Sequence, residues 1–416
     1  MTRISTALGV VLAGSSVPAL AQYNAPPAAP QQTATQQQSV PAAQPSLKPS
    51  RAAMKAIVEL QKAVNANDTA NIPAKVAAAQ AVAQTKEDKY IIAQLQLKAA
   101  IAAKDNAATA AAIDAVAASG FLDSAKVASL YTSLGVTYYN AKQLEPAVAA
   151  FEKAISLNPR DPEPLTFLGE ARFSQGRKPD AVSAFQRAIQ VTTAVGQKPS
   201  EQLMKRAVGV AYESNNPAAI ELGRQWAAAY PTADSWRNSI AIYRNMMKPD
   251  VEGTLVLLRL LQAKGALNSA ADYNLFATAA ADQSNFNEAQ AVIDQGIAAK
   301  VVDPASPLFK DTIAALKTKP KASEADLTAA AKTATTGMSL VRIGDRFYAL
   351  GQYAKAVEVY RQALGKPGVD PNVANLHIGM ALARSGDKAG ATAALQAVTG
   401  PRADLAKYWL MYLQQS

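Results

Sequence analysis

The feature that most constrains the fold is an internal repeat with an offset of 34 residues near the middle of the chain. Small and apolar residues recur at this one spacing: Gly135 with Gly169, Ala147 with Ala181, Phe151 with Phe185, Ala154 with Ala188, and Leu134 with Leu168. Identities at a single fixed offset are typical of arrays in which one supersecondary unit stacks on the next. The sequence therefore predicts a repeat protein rather than a fold built around one central core.

The local texture of the repeat is helical. Apolar residues recur at helical spacing from Arg51 onward, and Asn, Asp, Gly and Pro interrupt them at short intervals. Aromatic residues make up only 6% of the chain, and alanine, the best helix former, dominates its apolar content. This pattern predicts helices of roughly 12–15 residues joined by tight turns into hairpins, and hence an all-α fold.

The residue types within the repeat resemble those of the tetratricopeptide repeat. The first clear copy reads Tyr131, Leu134, Gly135, Tyr138, Ala147, Phe151, Ala154 and Pro159. Small residues at Gly135 and Ala147 suit the crossing of two helices, whereas Tyr138 and Phe151 suit the space between successive hairpins. The resemblance implies a right-handed α-solenoid of stacked helical hairpins.

The copies differ in clarity along the chain. Two clear repeats are predicted over 126–195 and two more over 337–402, the second pair with an offset of 35. Residues 196–336 are predicted to form degenerate repeats, among them a shortened copy marked by Gly209, Tyr212 and Trp226. Residues 51–125 are expected to form helical hairpins that are either divergent repeats or a cap.

The two ends of the chain have their own character. Arg3, the apolar stretch 7–13 and the Ala19-Leu20-Ala21 triplet are typical of a cleavable signal peptide over residues 1–21, with cleavage after Ala21. Residues 22–50 are rich in Pro, Gln and Ala and predict a disordered linker. Residues 403–416 carry apolar and aromatic residues on a final helix, which is interpreted as a cap on the last hairpin rather than a membrane-binding helix.

Residues that could carry chemistry are scarce. The chain has no cysteine and one histidine, His377, for which a surface or packing role is predicted. A lone histidine without cysteine cannot form a zinc site of the usual kind, and no nucleotide-binding or nucleophile-elbow motif occurs. We therefore expect a protein that is not an enzyme and that needs no cofactor or metal. An enzyme subunit with a site in a cleft between hairpins remains the less favoured alternative.

A binding surface follows from the resemblance. In tetratricopeptide arrays the first helix of each hairpin lines the concave groove that holds peptides. Thr132 and Val136, with Phe167 in the next copy, differ from the Lys and Asn residues that clamp a C-terminal carboxylate in chaperone-type repeats. Carried over to this sequence, the partner-binding residues would be Thr132, Tyr139, Asn140, Glu170, Phe173, Asp345, Tyr348 and Arg384.

These features predict a periplasmic or secreted scaffold for protein–protein interactions, with no transmembrane segment in the mature chain. Cell-envelope assembly or polysaccharide secretion is the suggested setting. The net charge is +10, and removal of residues 1–21, which contain only Arg3 as a charged residue, leaves +9. A module for anionic polysaccharide or lipid surfaces is thus an alternative. Nucleic acid is not an expected partner, because an exported protein rarely meets it.

Overall fold

The computed structural model describes residues 47–416, and this part of the chain is helical without any β-strand. The all-α prediction is therefore confirmed. The predicted signal peptide and most of the predicted linker lie outside the described residues. The helices form two compact units, one ending at Gln175 (unit 1) and the other beginning at Gly176 (unit 2).

Unit 1 contains seven described helices, most of them paired as hairpins: α1 Met54–Asn65, α2 Ile72–Val82, α3 Lys86–Ala102, α4 Asn106–Ser119, α5 Ser124–Asn140, α6 Leu144–Leu157 and α7 Pro162–Ser174. Unit 2 continues with α8 Lys178–Ala194, α9 Glu201–Glu213, α10 Ala218–Ala229, α11 Ala233–Met247, α12 Val251–Ala263, α13 Ala270–Asp282, α14 Phe286–Ala298, α15 Pro307–Thr318, α16 Glu324–Thr333, α17 Gly337–Ala349, α18 Tyr353–Leu364, α19 Pro371–Ser385, α20 Lys388–Gln396 and α21 Ala403–Gln415. A short 3-10 turn, Gly400–Arg402, precedes α21.

Helix ends are set by local chemistry that the sequence makes visible. The Asp161 carboxylate accepts a hydrogen bond from the Glu163 N–H at 3.0 Å, and Pro162 occupies the first helical position of α7. The turns inside the two late hairpins use Gly351 and Gly386 at φ +74° and +89°, a backbone region that glycine enters without strain. Helices of about four turns are therefore separated by short, defined turns.

The repeat glycines lie where the two helices of a hairpin approach most closely. A Cβ added to Gly135 would lie 2.4 Å from Phe151 Cε1, and one added to Gly344 would lie 2.3 Å from Tyr360 Cε1. The predicted crossing at Gly135 is thus confirmed. Gly209 differs, because a Cβ there would meet nothing within 4 Å. The degenerate copy retains the glycine without the close approach.

This difference gives a matched pair of substitutions in helices of unit 2. Gly344→Ala should lower the free energy of unfolding by about 1–3 kcal/mol, because the added methyl group meets the Tyr360 ring. Gly209→Ala should raise it by about 0.5–1 kcal/mol, since alanine is the better helix former in open space. Urea unfolding followed by tryptophan fluorescence measures both changes. If both substitutions change the free energy of unfolding in the same direction, the packing described for Gly344 and Gly209 is contradicted.

The final helix α21 is part of the core of unit 2. Tyr408 and Trp409 are both fully buried. The Tyr408 hydroxyl lies 3.1 Å from Ser239 Oγ of α11, and Trp409 Nε1 donates to the Val256 carbonyl of α12 at 3.3 Å. Helix α21 packs against α19 and α20, as a cap on the last hairpin would, and also against α10 and α12. Tyr408 and Trp409 are thus used for packing within unit 2, whereas Tyr412 stays partly exposed.

Candidate functional site

Asp345, one of the groove positions predicted on the late hairpins, lies in a cluster of charged and polar side chains inside unit 2. We call this set the buried ion cluster; it comprises Glu252, Arg259, Asn285, Glu288, Asp345, Tyr360 and His377. Arg259, on α12, is 1% exposed and donates through Nε and Nη2 to the two carboxylate oxygens of Glu288, both at 2.7 Å. Its Nη1 lies 3.2 Å from Asp345 Oδ1. The cluster therefore joins α12 and α14 to α17.

Asp345 is the centre of this cluster. Its Oδ1 accepts hydrogen bonds from the Tyr360 hydroxyl at 2.6 Å and from His377 Nδ1 at 2.7 Å. Burial opposes ionisation of this carboxyl group, but Arg259 and His377 outweigh burial and lower its pKa below the usual value. Burial and the adjacent Asp345 charge raise the pKa of Tyr360, so its hydroxyl keeps the proton that it donates.

His377 is completely buried, so of the predicted surface or packing role it is packing in the interior that the structure shows. Its second ring nitrogen, Nε2, lies 3.3 Å from Glu252 Oε1. Burial disfavours the charged imidazolium, yet Asp345 and Glu252 raise the pKa of His377 to about 9. A protonated ring has two N–H donors and matches two carboxylate acceptors, so His377 acts as a buried cation at neutral pH.

The three partner-binding residues predicted on the late hairpins all contact other side chains of unit 2. Asp345 is bound as described, and Tyr348 is buried with the Arg259 guanidinium 5.2 Å from its ring centre. Arg384 is half-buried and donates through Nη2 to the Tyr353 hydroxyl at 3.1 Å. Side chains of α12 and α14 occupy the space that a partner was expected to fill at Asp345 and Tyr348.

Sequence reasoning missed Arg259, Glu288 and Glu252. The signal was present, because Arg259 stands alone within the apolar run from Leu255 to Leu261. A single arginine in such a run is buried on a helix that is covered all round, and a buried charge requires a partner of opposite sign. Which acid supplies that partner is not encoded in the local pattern.

The groove positions in unit 1 have a different environment. Thr132 is buried, and its hydroxyl donates to the Ala128 carbonyl at 3.1 Å, so it offers little to a partner. Tyr139 is partly exposed at the end of α5, and its hydroxyl lies 3.3 Å from Ser174 Oγ of α7. Asn140 and Ser174 are exposed, whereas Glu170 and Phe173 are partly exposed. We call the set Tyr139, Asn140, Glu170, Phe173 and Ser174 the α5–α7 surface.

Polar contacts with α6 hold α7 in place beneath the α5–α7 surface. The Arg172 guanidinium donates to Glu152 Oε1 at 2.7 Å, and Gln175 Nε2 donates to Glu145 Oε1 at 2.8 Å. Both contacts tie α7 to α6. The ends of α5 and α7 are thereby held next to each other with two aromatic rings at equivalent positions of successive repeats.

The described residues, 47–416, offer neither a group of metal ligands nor a helix able to cross a membrane. No group of three His, Asp or Glu side chains in this range is arranged to hold a metal ion. None of its helices is both long and apolar enough to cross a bilayer.

Comparison with known families identifies the repeats. One tetratricopeptide-repeat model matches residues 128–161, and a second matches 168–234 and 341–406. These segments coincide with the repeats predicted from the sequence and extend into the degenerate region. The chain therefore contains tetratricopeptide repeats in both units.

Individual relatives are distant or short. Superkiller protein 3 of Schizosaccharomyces pombe is 41% identical over 58 residues, which is 14% of this chain and 4% of that protein. The structure of MamA is 19% identical and covers 38% of this chain and 82% of its own, with a TM-score of 0.28. YrrB, described as a protein with an unusual peptide-binding site, is 15% identical and covers 46% of this chain and 92% of its own, with a TM-score of 0.30.

Proposed function

We propose that this protein is a non-catalytic scaffold that binds an extended segment of another protein on the α5–α7 surface. Tetratricopeptide arrays use the first helices of their hairpins as extended binding surfaces. The observation that carries the proposal is the contrast between the two units. Tyr139 remains partly exposed beside Asn140 and Ser174, whereas Tyr348 in the late hairpins is buried under Arg259.

The chemistry of this surface suits a polypeptide. Aromatic rings supply large apolar contacts at a low cost in conformational entropy, and they are enriched among the residues that dominate binding energies. The exposed Asn140 amide and Ser174 hydroxyl can each donate and accept a hydrogen bond, which suits the unpaired N–H and C=O groups of an extended segment. The proposed partner is anchored by apolar side chains against the rings and by main-chain hydrogen bonds beside them.

We place this scaffold in the periplasm, where cell-envelope assembly is the setting that we favour. The support is the sequence of the first residues, in which a positive residue, an apolar stretch and Ala19-Leu20-Ala21 follow one another as in exported proteins. An excess of positive charge also favours acidic proteins of the envelope as partners.

Photo-crosslinking in intact producing cells tests both parts of the proposal. A photoreactive residue at Ser174 should capture a defined protein recovered from the periplasmic fraction, whereas one at Ser156, which is exposed on α6, should not. Tyr139→Ala should reduce the yield at position 174 about tenfold, the effect of losing a binding-site aromatic residue. Tyr139→Phe keeps the ring and should leave most of the yield.

The control outcomes separate the two parts. Equal capture at positions 156 and 174, or a yield that Tyr139→Ala leaves unchanged, would refute the α5–α7 surface as the site. Recovery of the crosslinked protein only from the cytoplasm would refute the location and leave the surface intact.

A further inference from the structure

A second open surface lies in unit 2, on the side formed by α8 and α10. It is a groove of about 1030 Å³ whose floor includes Ile189, Pro199 and Met204, all of them buried. On the α10 side the groove is lined by Gln225, Ala228 and Ala229, and the two alanine side chains are too short to reach α8. We call it the α8–α10 groove.

The rim of the α8–α10 groove is polar and free of carboxylates. Its long polar side chains are Gln186, Arg187, Gln190, Gln197, Lys198 and Gln225, all exposed. Among the residues that the structure describes, no hydrogen bond joins the Gln186, Gln190 or Gln197 amides to another side chain. A rim of amides and two cations presents donors and acceptors with a net positive charge.

The spacing of these groups matches an extended polypeptide. Gln186 and Gln190 lie four residues apart on α8, about 6 Å along the helix axis. Alternate residues of an extended chain lie about 6.7 Å apart and face the same side. Amide side chains at this interval are therefore placed to pair with successive main-chain groups on one edge of such a chain.

The two cations on the rim of the groove determine which side chains a bound polypeptide should carry. Arg187 lies on α8, whereas Lys198 follows the turn at Gly196 (φ +75°) after this helix, so the two cations are presented to the groove from different segments of its rim. The Lys198 ammonium is held 3.6 Å from the centre of the Tyr230 ring, whose hydroxyl donates to the Pro199 carbonyl at 2.9 Å. This contact positions one of the two cations at the end of the groove.

We propose that the α8–α10 groove binds an extended acidic peptide segment, as a second interaction surface separate from the α5–α7 surface. The Gln186 and Gln190 amides pair with its main chain, and Arg187 and Lys198 pair with its carboxylates. A sugar polymer is the less suitable occupant, because no aromatic ring is among the residues that line the groove. The proposal is independent of what the α5–α7 surface binds.

The test is a fluorescence-anisotropy titration of the full chain against a labelled peptide of four Glu-Thr repeats. The Arg187→Glu/Lys198→Glu protein should bind at least tenfold more weakly than the unaltered protein. The control Arg342→Glu/Arg361→Glu changes the net charge equally at exposed positions outside the groove and should bind within about twofold, because separated exposed charges are largely screened. Ala228→Phe, which fills the groove without changing charge, should also weaken binding at least tenfold.

Several outcomes would overturn the inference. Equal weakening by the two charge-reversal pairs would mean diffuse attraction to a basic protein. Undiminished binding of a peptide in which Gln replaces Glu would remove the acidic requirement. Binding of dextran sulfate but not of the peptide, with the same sensitivity to Arg187→Glu/Lys198→Glu, would assign the groove to polysaccharide.

Two controls keep the result interpretable. Unchanged urea midpoints of the variants exclude misfolding as the cause of lost binding. Tyr139→Ala should bind the acidic peptide as the unaltered protein does, so a failure of the groove and a failure of the α5–α7 surface are distinguishable.

Discussion

Replacement of Arg259 by methionine is expected to lower the free energy of unfolding of unit 2 by about 3–5 kcal/mol, the usual effect of removing one partner from a buried ion pair. Methionine fills much of the volume but leaves the Glu288 carboxylate, 5% exposed, without its guanidinium. Asp345 loses one of its two cations at the same time. The loss arises mainly from the uncompensated buried charge rather than from the missing contact itself.

Urea unfolding of the full chain, followed by tryptophan fluorescence, measures this loss. All three tryptophans, Trp226, Trp236 and Trp409, lie in unit 2, so their emission reports on unit 2 alone. Arg259→Lys keeps the charge without the two-pronged geometry and should show an intermediate loss. Lys178→Met removes an exposed ion pair with Glu213 and should have little effect.

A double substitution distinguishes the cause. Arg259→Met combined with Glu288→Gln removes the stranded negative charge, and we expect it to recover part of the stability that Arg259→Met loses. An Arg259→Met protein that unfolds at the same urea concentration as the unaltered protein would refute the cluster as a stabilising element. A double variant less stable than the single one would show that packing, and not charge, is responsible for the loss.

The sequence predicted the hairpins because their determinants are local. The glycine at a helix crossing and the large residue that faces it lie 16 positions apart in the same hairpin, as Gly135 and Phe151 do. The residue types predicted the crossing at Gly135, whereas Phe151, which was predicted to fill the space between successive hairpins, faces Gly135 and also stacks on Phe167 of α7. Gly209 shows the limit, because a retained residue type does not guarantee a retained contact once the copy has degenerated.

The buried ion cluster could not be predicted in the same way. Arg259 and Asp345 are separated by 86 residues, and His377 and Glu252 by 125. A repeat pattern places each side chain within its own hairpin and on one face of it, but it does not specify what packs against that face. The late hairpins were therefore expected to offer Asp345 and Tyr348 to a partner, whereas α12 and α14 of the same chain cover them.

The pH dependence of unit 2 is the second large effect that we expect. The pKa of His377 is about 9 in the folded protein, against 6.5 for an unperturbed histidine, and this difference corresponds to about 3 kcal/mol. Because the pKa is raised on folding, the stabilisation is fully present below pH 6.5 and is lost as the pH rises through 9. Between these values the folded state holds a proton that the unfolded state has released.

Asp345 and Tyr360, which contact His377, do not change their protonation state between pH 6.5 and 9. Asp345 and Glu252 face its two nitrogens, and the Tyr360 ring packs against the imidazole with the ring centroids 5.3 Å apart. Arg402 contacts Glu252 in turn, with its Nη1 3.4 Å from Glu252 Oε1. The lowered pKa of Asp345 keeps its carboxylate ionised throughout. The raised pKa of Tyr360 keeps its hydroxyl protonated, and unfolded tyrosine titrates only near pH 10.

Urea unfolding at pH 6, 7, 8 and 9 checks the prediction, with His377→Gln as the matched control. Glutamine retains hydrogen-bonding groups but carries no charge at any of these pH values. The unaltered protein should exceed the variant most at pH 6, and the difference should shrink by up to about 1.4 kcal/mol per pH unit as the pH rises from 7 to 9. A difference that stays constant across this range would mean that the buried imidazole is neutral, and that Asp345 and Glu252 hold it by uncharged hydrogen bonds alone.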